Sequence, residues 1–142
     1  MRLLLAFIYS FFVFILTCTQ NITKLAVEGP SFQWNPDPDF MKFFDFHSYP
    51  FHSQTYLFQK SGHVIAFFFL AFMIHFTIRK GSSGFILSVA FAMFTEIAQL
   101  YFSRTGCLLD VGYDVLGISL YFILYTVNQK IMLLSSKEKR TG

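Results

Sequence analysis

Four apolar stretches, residues 3–19, 62–78, 84–103 and 115–134, contain no proline and are filled mainly by Phe, Leu, Ile, Val and Ala. A helix needs roughly 17–25 residues to cross a hydrocarbon core, so each stretch is long enough, the first only just. Backbone polar groups in lipid must be paired within the segment, which makes helices the expected conformation. The two-residue alternation of a membrane β-barrel is absent. Composition points the same way, with 54% hydrophobic residues, 13% charged residues and 21 phenylalanines among 142 residues. Soluble domains carry about 25% charged residues. They also leave roughly 30% of their unfolded surface exposed at this size, so so much apolar surface has nowhere to hide in water. Disordered, collagen-like and disulfide-rich classes are excluded by the same figures. The expected fold is an all-α integral membrane protein of one domain. Four transmembrane helices form its bundle, with a long outer loop at 20–61 between helices 1 and 2 and a basic cytoplasmic tail at 135–142.

The net charge of +3 does not mark a nucleic-acid surface, because the basic residues flank apolar stretches instead of forming a patch. With the N-terminus in the cytoplasm, the inner set is Arg2, Arg79, Lys80, Lys130, Lys137, Lys139 and Arg140. The outer set is the smaller one, Lys24, Lys42, Lys60 and Arg104. The positive-inside rule therefore places both termini in the cytoplasm of a multi-pass cell-membrane protein. Thr17-Cys18-Thr19 is a poor signal-cleavage site and Ile15-Leu16-Thr17-Cys18 a poor lipoprotein box, so the first stretch reads as a retained helix. Cys18 and Cys107 have no metal-ligand spacing and read as inert apolar cysteines, with a disulfide as the alternative because the topology puts both toward the outer side.

All four prolines lie in the 20–61 segment, where Asn35-Pro36-Asp37-Pro38-Asp39 breaks helices and forms turns. The following Phe40-Met41-Lys42-Phe43-Phe44-Asp45-Phe46 is too aromatic for a solvated loop. It reads as an interfacial segment on the outer surface, with Trp34, Tyr49 and Tyr56 at headgroup level. Asn21-Ile22-Thr23 matches a glycosylation sequon, a pattern common by chance.

Polar residues inside apolar helices carry the functional information, since charges there are costly and face the bundle interior or a wet cavity. Glu96 and Gln99 are three apart on one helical face, within a stripe of Ser88, Ala92, Glu96, Gln99 and Ser103. Phe91, Phe94 and Tyr101 lie on another side, suited to lipid. A second stripe is Asp110, Asp114, Gly117, Tyr121 and Asn128. Small residues such as Ala92 and Gly117 allow close helix approach, a packing role that does not account for an acid at Glu96. At 1.5 Å per residue Glu96 lies roughly 24 Å from Lys80, in the outer leaflet. The outer end of the bundle is thus expected to gather His63, Glu96, Gln99, Arg104, Asp110 and Asp114. Asp110 and Asp114 also suit helix N-termini, Arg104 a phosphate-facing loop and His63 a headgroup-level cap. His75 lies well off the His63 face and reads as a packed or hydrogen-bonded histidine.

The run Lys60-Ser61-Gly62-His63, then Glu96-Ile97-Ala98-Gln99, then Arg104, then Asp110 through Asp114 to Gly117 resembles the VanZ family. That family's pattern is K-x-G-H, E-x-x-Q, an arginine and D-x-x-x-[ND]-x-x-G. The resemblance covers roughly residues 55–130. It departs at Thr95 and Ala98, where many members carry an aspartate and a histidine. It implies a bacterial membrane protein whose founding relative is associated with low-level resistance to the glycopeptide teicoplanin. The implied binding set is Lys60, His63, Glu96, Gln99, Arg104, Asp110, Asp114 and Gly117. The partners are membrane lipids and a glycopeptide or lipid-linked cell-wall precursor. Three function classes follow: an envelope modulator with an outward-facing polar cleft, a membrane enzyme with Glu96, His63 and Asp114 as catalytic candidates, and a small proton-coupled transporter. The first is the leading reading. Linear spacing suggests neither a metal site nor a cofactor.

Overall fold

The computed structural model describes residues 1–20, 24–45 and 52–141, and every regular element among them is helical. They are α1 (Arg2–Cys18), the single turn α2 (Leu25–Glu28), a 3₁₀ turn (Phe40–Phe44), α3 (Gln54–Ile78), α4 (Gly81–Tyr101) and α5 (Leu108–Thr141). The sequon Asn21–Thr23, Phe46, Tyr49 and the side chain of Arg140 lie outside the described residues.

α3, α4 and α5 are long and apolar enough to cross a membrane. α1 is apolar but has 17 residues, about 25 Å of helix, short of the roughly 30 Å hydrocarbon core. Of the four expected spans, three are helices of full crossing length, and the fourth, α1, is a shorter apolar helix at the lower limit of crossing length, packed against α3 and α4. The boundaries also move. α3 begins at Gln54 instead of residue 62, because no proline follows Pro50 and the polar residues Gln59 and Lys60 of its first turns line a cavity instead of needing bulk water. Tyr56 is therefore a buried helical residue, not a headgroup anchor in a loop. α5 begins at Leu108 instead of 115, so Asp110 and Asp114 sit within it. It continues to Thr141, making the basic tail helical, since no glycine or proline interrupts residues 118–141.

α3 and α5 run parallel and α4 antiparallel to both, joined to α3 by a two-residue turn in which Arg79 is left-handed (φ 60°). Helix association in lipid relies on close packing and interhelical hydrogen bonds, since the tails are as apolar as leucine. Gly117 supplies the closest approach. A Cβ there would overlap the backbone carbonyl of Val64 on α3, so only glycine permits this spacing. Phe67, Leu70 and Ile118 fill the adjoining core with no exposure. At the opposite end from the polar residues, His75 Nδ1 lies 2.8 Å from the Tyr121 hydroxyl and Thr77 donates to the Arg2 carbonyl at 3.3 Å.

The polar segment after α1 folds back onto the bundle. Asn35 N–H donates to the Tyr101 carbonyl at 2.8 Å, Trp34 stacks on Tyr101, and Asp39 caps the 3₁₀ turn through Met41 N–H. Phe43 enters the core, so this segment plugs the bundle as well as lying on its surface. Phe91 is half-buried against Phe67, whereas Phe94 is exposed. Ser103 and Asn128 are exposed and leave their stripes.

Gly117→Ala is expected to force α3 and α5 apart and destabilise the detergent-solubilised protein by about 1–3 kcal/mol, read from its thermal midpoint. Gly112→Ala, which meets open space, is the matched control and should be neutral or slightly stabilising.

Candidate functional site

The parallel register of α3 and α5 sets two polar pairs one turn apart. Lys60 Nζ lies 2.6 Å from Asp110 Oδ2, with both side chains below a tenth exposed. The same ammonium sits 5.0 Å from the centre of the Tyr56 ring, a cation–π contact that shields it from the apolar surroundings. One turn deeper, His63 Nδ1 lies 2.9 Å from Asp114 Oδ1. Asp114 is completely buried and its Oδ2 has no hydrogen-bond partner among the described residues; the same holds for Asp110 Oδ1.

α4 brings the third acid. Ser88, Ala92, Glu96 and Gln99 are all buried on its inward face, so the stripe seen in the sequence points into the bundle. Gln99 Nε2 donates to Glu96 Oε1 at 2.5 Å, and the Cys107 backbone N–H donates to Oε2 at 3.0 Å. The second bond requires the α4–α5 connection to fold back over the end of α4. Gly106 permits it, since a Cβ there would overlap the Glu96 carbonyl. His63, Glu96 and Asp114 converge, with one donor atom from each lying within 4.8 Å of the others.

Arg104 serves a different contact from the carboxylates. Its Nη1 donates to the carbonyls of Thr19 and Gln20, tying the C-terminal end of α1 to the connection between α4 and α5. A cation there also suits the negative end of the α1 dipole. Burial in this connection holds the guanidinium below its usual range.

Lys60, His63, Gln99, Arg104 and Asp110 border a cavity of about 360 Å³, together with Lys42, Asp45, Tyr56, Gln59 and Thr105. Glu96 and Asp114 stand behind it. Cys18 and Cys107 are both free and buried; Cys107 Sγ accepts from Leu109 N–H at 3.3 Å and donates to the Asp45 carbonyl at 3.4 Å.

The uncharacterized membrane protein YwnJ of Bacillus subtilis (strain 168) is 35% identical to this chain over 133 residues, covering 91% of this chain and 92% of YwnJ. The chain belongs to the YwnJ family. It is a membrane protein, as its apolar helices and this relative agree. No family model and no solved structure matches it.

In this YwnJ-family chain, the eight residues of the implied binding set lie toward one end of the bundle, at the cavity (Lys60, His63, Gln99, Arg104, Asp110), beside His63 (Glu96, Asp114) or holding α3 against α5 (Gly117). Sequence reading missed Tyr56, Gly106 and the Cys107 N–H. Gly106 had a visible signal, a glycine in a short connection between two helices. The Cys107 contribution had none, because it comes from the backbone.

Removing one member of a buried ion pair leaves the other uncompensated, at a cost of about 3–5 kcal/mol. Lys60→Met and Asp110→Leu should each destabilise by that order in thermal unfolding, while the double variant recovers most of the loss. Additive losses would show that the 2.6 Å pair is not energetically coupled.

Proposed function

We propose that this chain is a VanZ-like protein of the bacterial cell membrane that modulates the envelope by holding a charged headgroup in an outward-facing cleft. The headgroup belongs to a lipid or a lipid-linked cell-wall precursor, and glycopeptide tolerance of the teicoplanin type is the trait through which such binding is expressed. The observation that carries this reading is the cavity of about 360 Å³ at one end of an otherwise apolar bundle, bordered by the basic residues Lys42, Lys60, His63 and Arg104 against the two acids Asp45 and Asp110, the second paired with Lys60. Its volume suits a small polar group, and its cations suit phosphate. A chain already dissolved in the bilayer reaches such a headgroup by lateral diffusion, with the acyl part remaining in lipid.

The outward orientation is supported by the charges at the two ends. Arg2, Arg79 and Lys80 gather at the end away from the cavity, where the helical tail adds Lys137 and Lys139. A second reading, a membrane enzyme acting on the same class of substrate, is favoured by the His63–Asp114 bond beside Glu96. There a carboxylate serves as base and His63 as acid.

Three measurements test the proposal. In a variant lacking Cys18 and Cys107, a cysteine placed by Ser136→Cys should be labelled by an impermeant reagent only after permeabilisation; labelling on intact cells overturns the orientation. Glu96→Gln and Asp114→Asn should insert normally yet lose the envelope phenotype at matched expression, whereas Phe94→Leu keeps it. Lipid extracted from the purified full chain should be enriched in a phosphate-bearing species that Lys60→Gln fails to retain. Full phenotype in both neutralised variants, or identical lipid content in Lys60→Gln and wild type, overturns the headgroup reading. Turnover of a lipid-linked precursor by the purified protein would establish the enzyme instead.

A further inference from the structure

Two of the buried carboxylates have, among the described residues, a histidine and no permanently charged side chain as their basic neighbour. Lys60 is paired with Asp110 at 2.6 Å, and Arg104 Nη1 is bound to the Thr19 and Gln20 carbonyls. Glu96 and Asp114, both with no exposure, have no lysine or arginine within ion-pair distance among the described residues. Two carboxylates in an apolar bundle must be neutralised, by a proton, by a cationic partner side chain or by a metal ion. Their shared neighbour is His63, and Asp114 Oδ2 is an unpartnered, fully buried oxygen beside it.

We propose that His63, Glu96 and Asp114 bind a single divalent metal ion, with zinc as the ion that fits the donor set. The divalent charge cancels the two carboxylates, leaving an imidazole nitrogen as a neutral third ligand. One donor atom from each residue already lies within 4.8 Å of the other two. Donors 2.0–2.2 Å from a tetrahedral ion are about 3.4 Å apart, so modest side-chain movement completes the site. One nitrogen and two oxygens suit zinc better than magnesium or calcium, which take all-oxygen shells of six or more ligands. Glu96 is already oriented by Gln99 at 2.5 Å and the Cys107 N–H at 3.0 Å, bonds of the kind that fix metal-ligating carboxylates. Three protein ligands leave a fourth position open. His63 borders the cavity, so that position is reachable by water or by an oxygen of whatever occupies it.

This inference goes beyond the headgroup reading and stands without it. The test uses the full chain in detergent, stripped with a chelator and titrated with Co²⁺ and then Zn²⁺. Saturation at one ion per chain is expected, with visible Co²⁺ absorption but no thiolate charge-transfer band, displaced by zinc, and with a thermal midpoint raised by zinc. Glu96→Gln and Asp114→Asn should weaken binding at least about tenfold, the least that even outer-shell losses cause. His52→Asn and Cys18→Ser should leave it unchanged. Metal-free midpoints establish that each variant folds, and if one does not, the wild-type stoichiometry and spectrum decide. No uptake by wild type, equal uptake in the carboxylate variants, or a thiolate band assigning the ion to Cys18 or Cys107 overturns the proposal. Lipid retention is measured separately, so loss of the metal site with lipid still held would leave the headgroup reading intact, and the reverse would leave the metal site intact.

Discussion

The close approach of α3 and α5 at Gly117 is the contact on which the polar end of this protein depends. Charges in an apolar bundle have no water to stabilise them and must meet partners on neighbouring helices. Lys60 and His63 reach Asp110 and Asp114 because the two helices run parallel in one register, with the glycine seated on the Val64 carbonyl between them and the core. A wider spacing would lengthen both contacts together, and the cost of two separated buried pairs would fall on the helix interface itself. Packing and electrostatics are therefore one interaction here, with the small residue setting the distance at which the charges pair.

α4 joins this parallel pair by a different device. Its acid is held by its own Gln99 and by the backbone of the connection to α5, which Gly106 allows to fold against the Glu96 carbonyl. Glu96 consequently approaches His63 and Asp114 without a direct salt bridge to either lysine or arginine among the described residues. The arrangement suits a site that receives charge from outside, whether a cation between the carboxylates or a ligand in the cavity that Lys60 and Arg104 border.

Much of this was legible in the residues before any coordinates. Glu96 and Gln99 are three apart, a spacing that puts them on one face, and an acid in an apolar helix has few reasons to be there. Gly117 in the Asp110–Asp114 stripe announced a close helix contact, although not with which helix. Other features were hidden for physical reasons. The start of α3 at Gln54 was obscured because its first turns are polar, and hydropathy cannot distinguish a loop from a helix whose polar residues line a cavity. Phe43 looked interfacial because an aromatic run gives no sign of which ring enters the core. Asn128 fitted the stripe by angle, yet by that depth α5 has left its neighbours and the residue is exposed.

The partner of Arg104 was the least legible of all, and it changes how α1 should be regarded. A sequence offers carboxylates as the natural partners of an arginine, whereas this one binds the carbonyls of Thr19, the C-cap of α1, and of Gln20 just beyond it. Carbonyls at and just past a helix C-cap have no intrahelical donor, so the guanidinium supplies one to Thr19 and Gln20. It also makes α1 part of the site regardless of whether its 17 residues span the bilayer. The middle of α1 is held through Tyr9, which donates to the Ala66 carbonyl at 3.1 Å, while Arg104 fixes its C-terminal end beside the cavity. Thr19 and Ser31 then bond across the start of the following segment, continuing the anchor toward the turn that delivers Phe43 into the core. The short first helix thus acts as a brace for the polar end, and its position is governed by the same rule as the rest: buried polar groups settle where another element can satisfy them.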